Sequence, residues 1–280
     1  MRRLARLSTI TIALLVGVLH AAALFSVDSH LGYPVETFGT TALASGSFLA
    51  GLVLLGALPV FVSLRHRLVA PTLLFVLGAV APVYAQLTGA QPEFDYLGGF
   101  LTVAGEVHVY HYVRSWYAWL LVYLLAGVGE YGIRNAVRWL PPARQFDAIS
   151  VPTDRRTARI LGLLVGLAHA IVLVWFSTRW HYFSDPGDLY TLLPWTFVGL
   201  VVLAGVPTLL LFEKRLAAPF LAFLWLLDRA VRTQIRPMPD DSLIFYFVLW
   251  FVFLGVALLA GGGEYAVRIA GRRLGLQSRS

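Results

Sequence analysis

The chain contains no cysteine, a single lysine and few charges of either sign: charged residues occupy 13% of its 280 positions, against about a quarter in soluble proteins. The missing thiols exclude disulfides, thiolate metal sites and a cysteine nucleophile. Also absent are a Walker loop, a Rossmann fingerprint, a nucleophile elbow and the H-E-x-x-H or H-x-x-x-H spacings of helix-borne metal sites. No motif nominates an enzyme, and no cofactor is implied by one.

What is there is apolar. Hydrophobic residues make up 58% of the chain, gathered into runs of about 18 or more, each long enough to cross a ~30 Å hydrocarbon core. The expectation is a polytopic protein of the cell membrane. A net charge of +7 would suggest a nucleic-acid partner in a soluble protein. Here the placement of the basic residues assigns it to topology, and no nucleic acid is expected. The segment "MRRLARLSTITIALLVGVLHAAALFS" has the layout of a signal peptide. It reads as a retained span, because the internal segment 155–177 copies it.

Three blocks recur in one order, which predicts an internal duplication. "LVGVLHAAAL" (15–24) matches "LVGLAHAIVL" (164–173), pairing His20 with His169, and an F-S-x-x-x-H segment follows each, ending at His30 and His181. "PVFVSLRHRLVAP" (59–71) matches "PTLLLFEKRLAAP" (207–219). "AGVGEYGIRNAVRWL" (126–140) matches "AGGGEYAVRIAGRRL" (260–274) at nine of fifteen positions. The predicted fold is an all-α integral membrane protein of eight transmembrane helices, arranged as two tandem parallel four-helix repeats. The helices are expected near 7–27, 40–64, 69–88 and 109–134, then near 158–178, 191–212, 217–235 and 243–266. The first repeat is 1–140, a cytoplasmic linker 141–157, and the second repeat 158–280. With this layout 17 of the 22 basic residues fall on one side, which places both termini in the cytoplasm. An even number of spans per half makes the repeats parallel.

The Gly-Glu-Tyr blocks put Glu130 with Arg134, and Glu264 with Arg268, at i,i+4 spacing. Coupling-ion sites and interfacial ion pairs both fit, and the ion-pair reading is preferred because each glutamate sits where its helix leaves the membrane. Small residues around it would allow close helix approach. His20 and His169 lie within apolar runs, where an ionisable group is a functional hypothesis by default. They would ligate a metal or haem across a pseudo-twofold axis, or bond to a neighbouring helix.

The halves also differ. Asp228, Arg229 and Arg232 stand where the first half has Val80, Ala81 and Tyr84, and His111 and Arg114 stand where the second has Phe245 and Val248. Both departures lie in the outer half of the predicted spans. Together they suggest one polar, outward-facing cavity whose arginines attract an anion. The alternative is a short seventh helix that ends near Leu227 and continues as a surface segment. Asp28 and other outer acidic residues, with His30, His108 and His181, read as solvated surface rather than a cation site.

The leading expectation is a transporter-like protein binding a small anionic solute or ion at Arg114, Asp228, Arg229, Arg232 and His111, with His20 and His169 lining the cavity. The first alternative is a non-catalytic membrane subunit or scaffold for a membrane protein partner or a second copy. The next is an intramembrane haem or metal protein. The lipid bilayer is a partner in every case.

Overall fold

A computed structural model describes residues 2–31, 42–89, 93–97, 100–104, 107–136, 155–179, 186–233 and 246–273. The elements are α1 (Arg2–His30), α2 (Ala42–His66), α3 (Ala70–Thr88), β1 (Glu93–Leu97), β2 (Phe100–Ala104), α4 (His108–Arg114), α5 (Trp116–Ala136), α6 (Arg155–Arg179), α7 (Pro186–Lys214), α8 (Ala218–Thr233) and α9 (Trp250–Arg273). Most of the predicted linker, 141–154, lies outside the described residues.

Among the described residues six helices are long and apolar enough to cross a membrane: Ser8–His30, Ser45–His66, Ala70–Thr88, Arg155–Phe176, Leu192–Lys214 and Trp250–Gly271. They turn large apolar side chains outward, with Leu19 59%, Val80 59% and Leu259 78% exposed. Surfaces of that kind need lipid around them. These helices point to a polytopic membrane protein.

Two of the eight expected spans are not among the six. The predicted seventh, 217–235, corresponds to α8, which is 16 residues long in its described part. At 1.5 Å per residue that is about 24 Å, short of the hydrocarbon core. The predicted fourth, 109–134, is divided at Ser115 into α4 and α5. The Trp and Tyr residues of α5 dilute its apolar run. A further difference is the antiparallel hairpin, which registers Glu93 with Ala104 and Leu97 with Phe100. The expected all-α character holds for every other described element, and this loop was too short and mixed in pattern to signal strands.

Two compact units result, Met1–Gly127 and Val128–Ser280, so the division falls inside α5. In the first, α1 and α2 run antiparallel in close contact. Gly17 lies against the carbonyl of Val53 and the side chain of Ala57, where a Cβ has no room. In the second, Gly166 lies in the same way against the carbonyl of Val201. Bare backbone at these points lets the helix axes approach, as in membrane helix pairs.

The turns after α2 and α7 share a device. Arg67 (φ 55°) and Arg215 (φ 56°) take the left-handed conformation that usually falls to glycine. Pro71 and Pro219 then sit in the first turns of α3 and α8, where a missing N–H costs nothing.

Candidate functional site

His20 is held by three elements of the first unit. Its Nδ1 lies 3.1 Å from the carbonyl oxygen of Leu52 on α2, and its Nε2 lies 3.2 Å from the Tyr112 hydroxyl on α4. A carbonyl only accepts, so Nδ1–H donates to Leu52. The Nε2 of the neutral ring then accepts from Tyr112 O–H. Phe75 of α3 meets the imidazole edge-on, with centroids 5.0 Å apart.

His169 does the same in the second unit. Nδ1–H donates to the Leu200 carbonyl at 2.9 Å, and Nε2 accepts from the Tyr246 hydroxyl at 3.1 Å. Phe223 meets the ring edge-on at 5.3 Å. His169 is fully buried, whereas His20 keeps partial exposure. Each clasp is roofed by an indole in a glycine notch: Trp116 covers Gly51, and Trp250 covers Gly199.

Both helices break next to these tryptophans. Ser115 interrupts α4 and α5, and Leu249 separates the turn at 246–248 from α9. The carbonyl of Ser115 accepts from Ala118 and Trp119, and that of Leu249 from Val252 and Phe253. The break lets the tyrosine come from one helical segment and the tryptophan from the next.

This geometry bears on the expected ligand role. The lone pair that a histidine would offer a metal or haem is engaged by a tyrosine hydroxyl in both units. Among the described residues no group of three His, Cys, Asp or Glu could hold a metal ion.

The other candidates sit as follows. Glu130 pairs with Arg134 along α5, and Glu264 with Arg268 along α9. The second pair also fastens the turn between α7 and α8. Glu264 Oε2 accepts from the backbone N–H of Ala218 at 2.7 Å, and Arg268 donates to the carbonyl of Arg215 at 2.7 Å. The carboxylate thereby caps the first turn of α8, where N–H groups lack helical partners. Nearby small residues meet side chains of the second unit: Gly129 lies against Phe220, Gly132 against Leu211 and Gly261 against Pro219.

The residues expected to line an anion cavity fall in separate units. His111 is buried in α4, while Arg114 at its end is exposed, with its guanidinium 5.7 Å from the Tyr110 ring centre. On α8, Arg232 binds Asp228 at 2.8 Å in an exposed i,i+4 pair, and Arg229 is exposed. Asp28, expected at a solvated surface, is buried on α1 instead, on the face it shares with Ala13, Gly17, Ala21 and Leu24, while Ser29 and His30 beside it are exposed.

No protein-family model, curated protein or solved structure matches the chain. The functional reading therefore rests on the chain's own geometry.

Tyr112, Tyr246, Trp116, Trp250 and the Gly-Leu pairs at 51–52 and 199–200 were not singled out as candidates by the sequence reading. A signal was present: the two tyrosines and the two tryptophans are each 134 residues apart, the offset of the Gly-Glu-Tyr blocks.

Proposed function

We propose that the protein is a non-catalytic, multi-pass membrane scaffold or subunit, built from two copies of a His-clasped helical unit. The observation that carries this reading is the engagement of both ring nitrogens of His20 and of His169 inside their own units. Side chains satisfied in that way hold helices together and offer nothing to a solute. Duplication is supported by the recurrence of the whole set in the same order, at an offset of 149 residues for the histidine, 148 for the carbonyl, the edge-on phenylalanine and the glycine, and 134 for the tyrosine and tryptophan. The repeats 1–140 and 158–280, a parallel arrangement and cytoplasmic termini follow from that duplication and from the distribution of the arginines.

A partner-binding role is supported by α9. A Cβ added at Gly255 or Gly262, seven residues apart on one side of the helix, would meet nothing within 4 Å, and small residues on an open helix face are where membrane helices meet.

This reading is preferred to an anion transporter because Arg232 is neutralised along its own helix and α8 is short. Proteoliposomes decide between them. A scaffold gives anion flux equal to that of empty liposomes. Flux that Arg232→Ala or Arg114→Ala abolishes, with expression intact, would establish transport instead. A Soret band or a stoichiometric metal in the purified protein would establish the third alternative.

A further inference from the structure

Within the first unit α1 presents one buried stripe: Ala13, Gly17, Ala21, Leu24 and Asp28. Steps of three and four residues keep these positions on one side of the helix. Four of them are small or apolar, as a helix contact requires. The fifth is a carboxyl group, 2% exposed, and neither Oδ1 nor Oδ2 has a hydrogen-bond partner.

The elements packed against α1 are α2 and α4, with Phe75 of α3 against His20; the titratable group of α3 is Tyr84, which is exposed. On α2 the titratable groups are Arg65 and His66, at the end remote from Asp28 because the two helices are antiparallel. On α4 they are His108, His111 and Arg114. None of these donates to Asp28. On α1 itself, His20 lies two turns away, about 12 Å along the axis, and is committed to Leu52 and Tyr112. An ionised carboxylate in such surroundings costs several kcal/mol, whereas the neutral acid loses far less.

We propose that Asp28 is an intramembrane proton-binding site, its carboxyl group carried in the neutral, protonated form between α1 and its neighbours. The site belongs to one unit alone. In the F-S-x-x-x-H segments the position of Asp28 is taken by Arg179 in the second half. The inference rests on burial inside the first unit and goes beyond the scaffold reading.

Infrared difference spectroscopy on the full-length protein in liposomes at about pH 5, where an ordinary aspartate is ionised, tests it. The wild type minus Asp28→Asn spectrum is expected to show the carbonyl stretch of a protonated carboxyl group. Only the carboxylate stretches in that difference would overturn the proposal. The same variant supplies a second readout, because asparagine is a neutral isostere of the acid. Its melting temperature is expected within about 4 °C of wild type. A larger loss would overturn the proposal by showing that a charged carboxylate supports the fold.

Discussion

His20 and His169 make the same contacts in different surroundings. In the first unit the clasp is extended by a column of aromatics: Tyr112 leans on Trp119 at 6.0 Å, Trp119 stacks on Tyr123 at 6.3 Å, and Tyr123 meets Phe75 at 6.2 Å. In the second unit Phe253 and Ala257 occupy the positions of that tryptophan and tyrosine. There the column ends at the Tyr246–Phe253 contact, 5.3 Å long, and the histidine is fully enclosed. The hydrogen bonds and the glycine notch are common to both units, while the surrounding volume is filled in two ways. What holds the helices together is thus separable from what individualises each unit, and Asp28 belongs to the second category.

Substitutions can break or sharpen this contrast, and thermal unfolding in mild detergent reads each one. Gly51→Leu and Gly199→Leu should have the largest effect. Each displaces an indole that leaves no room even for a Cβ, and overpacking of this kind costs about 3 kcal/mol or more. Loss of folded, monodisperse protein is expected for both, and tolerance at either position would remove the notch from the shared design.

His169→Ala should follow, at about 3 kcal/mol, since it leaves a cavity and strands the Tyr246 hydroxyl in a closed site. His20→Ala should cost less, about 2 kcal/mol, because that ring is partly exposed and its hole can be filled. Equal losses would contradict the difference in enclosure.

Tyr112→Phe and Tyr246→Phe each remove one hydroxyl and leave Nε2 without its donor, at about 1–3 kcal/mol. Their effects should be similar, as the hydrogen bond is the common element. Arg232→Ala should lie within about 0.5 kcal/mol of wild type, because the exposed pair with Asp228 is screened by solvent. A clear loss there would show that the Asp228 region has a structural role of its own.

Much of the helical framework was legible in the sequence, since apolar run length and proline placement are local signals. The starts of α3 near 69 and of α8 near 217 were read to within one residue, because Pro71 and Pro219 mark first turns. The i,i+4 spacing of Glu264 and Arg268 was equally plain, yet their grip on Ala218 and Arg215 was not. Those contacts join residues about fifty positions apart, and spacing within one helix says nothing about a backbone N–H on another. The break at Ser115 was missed for a related reason. No glycine or proline announces it, and its cause lies in seating Tyr112 and Trp116 on different partners. Arg114, Asp228 and Arg232 stand at positions where the halves differ, whereas the clasp consists of positions where they agree.

By itself the sequence determined the apolar, multi-pass character of the chain and the positions of six apolar helices, which follow from local hydrophobicity. Only the tertiary structure decided what the polar side chains do. The same histidine in an apolar run is a ligand or a clasp according to whether its Nε2 is open or engaged by a tyrosine from a distant helix. The same aspartate at a helix end is solvated or buried according to which neighbours pack over it. Those outcomes depend on contacts between segments far apart in the chain, and no local pattern encodes them.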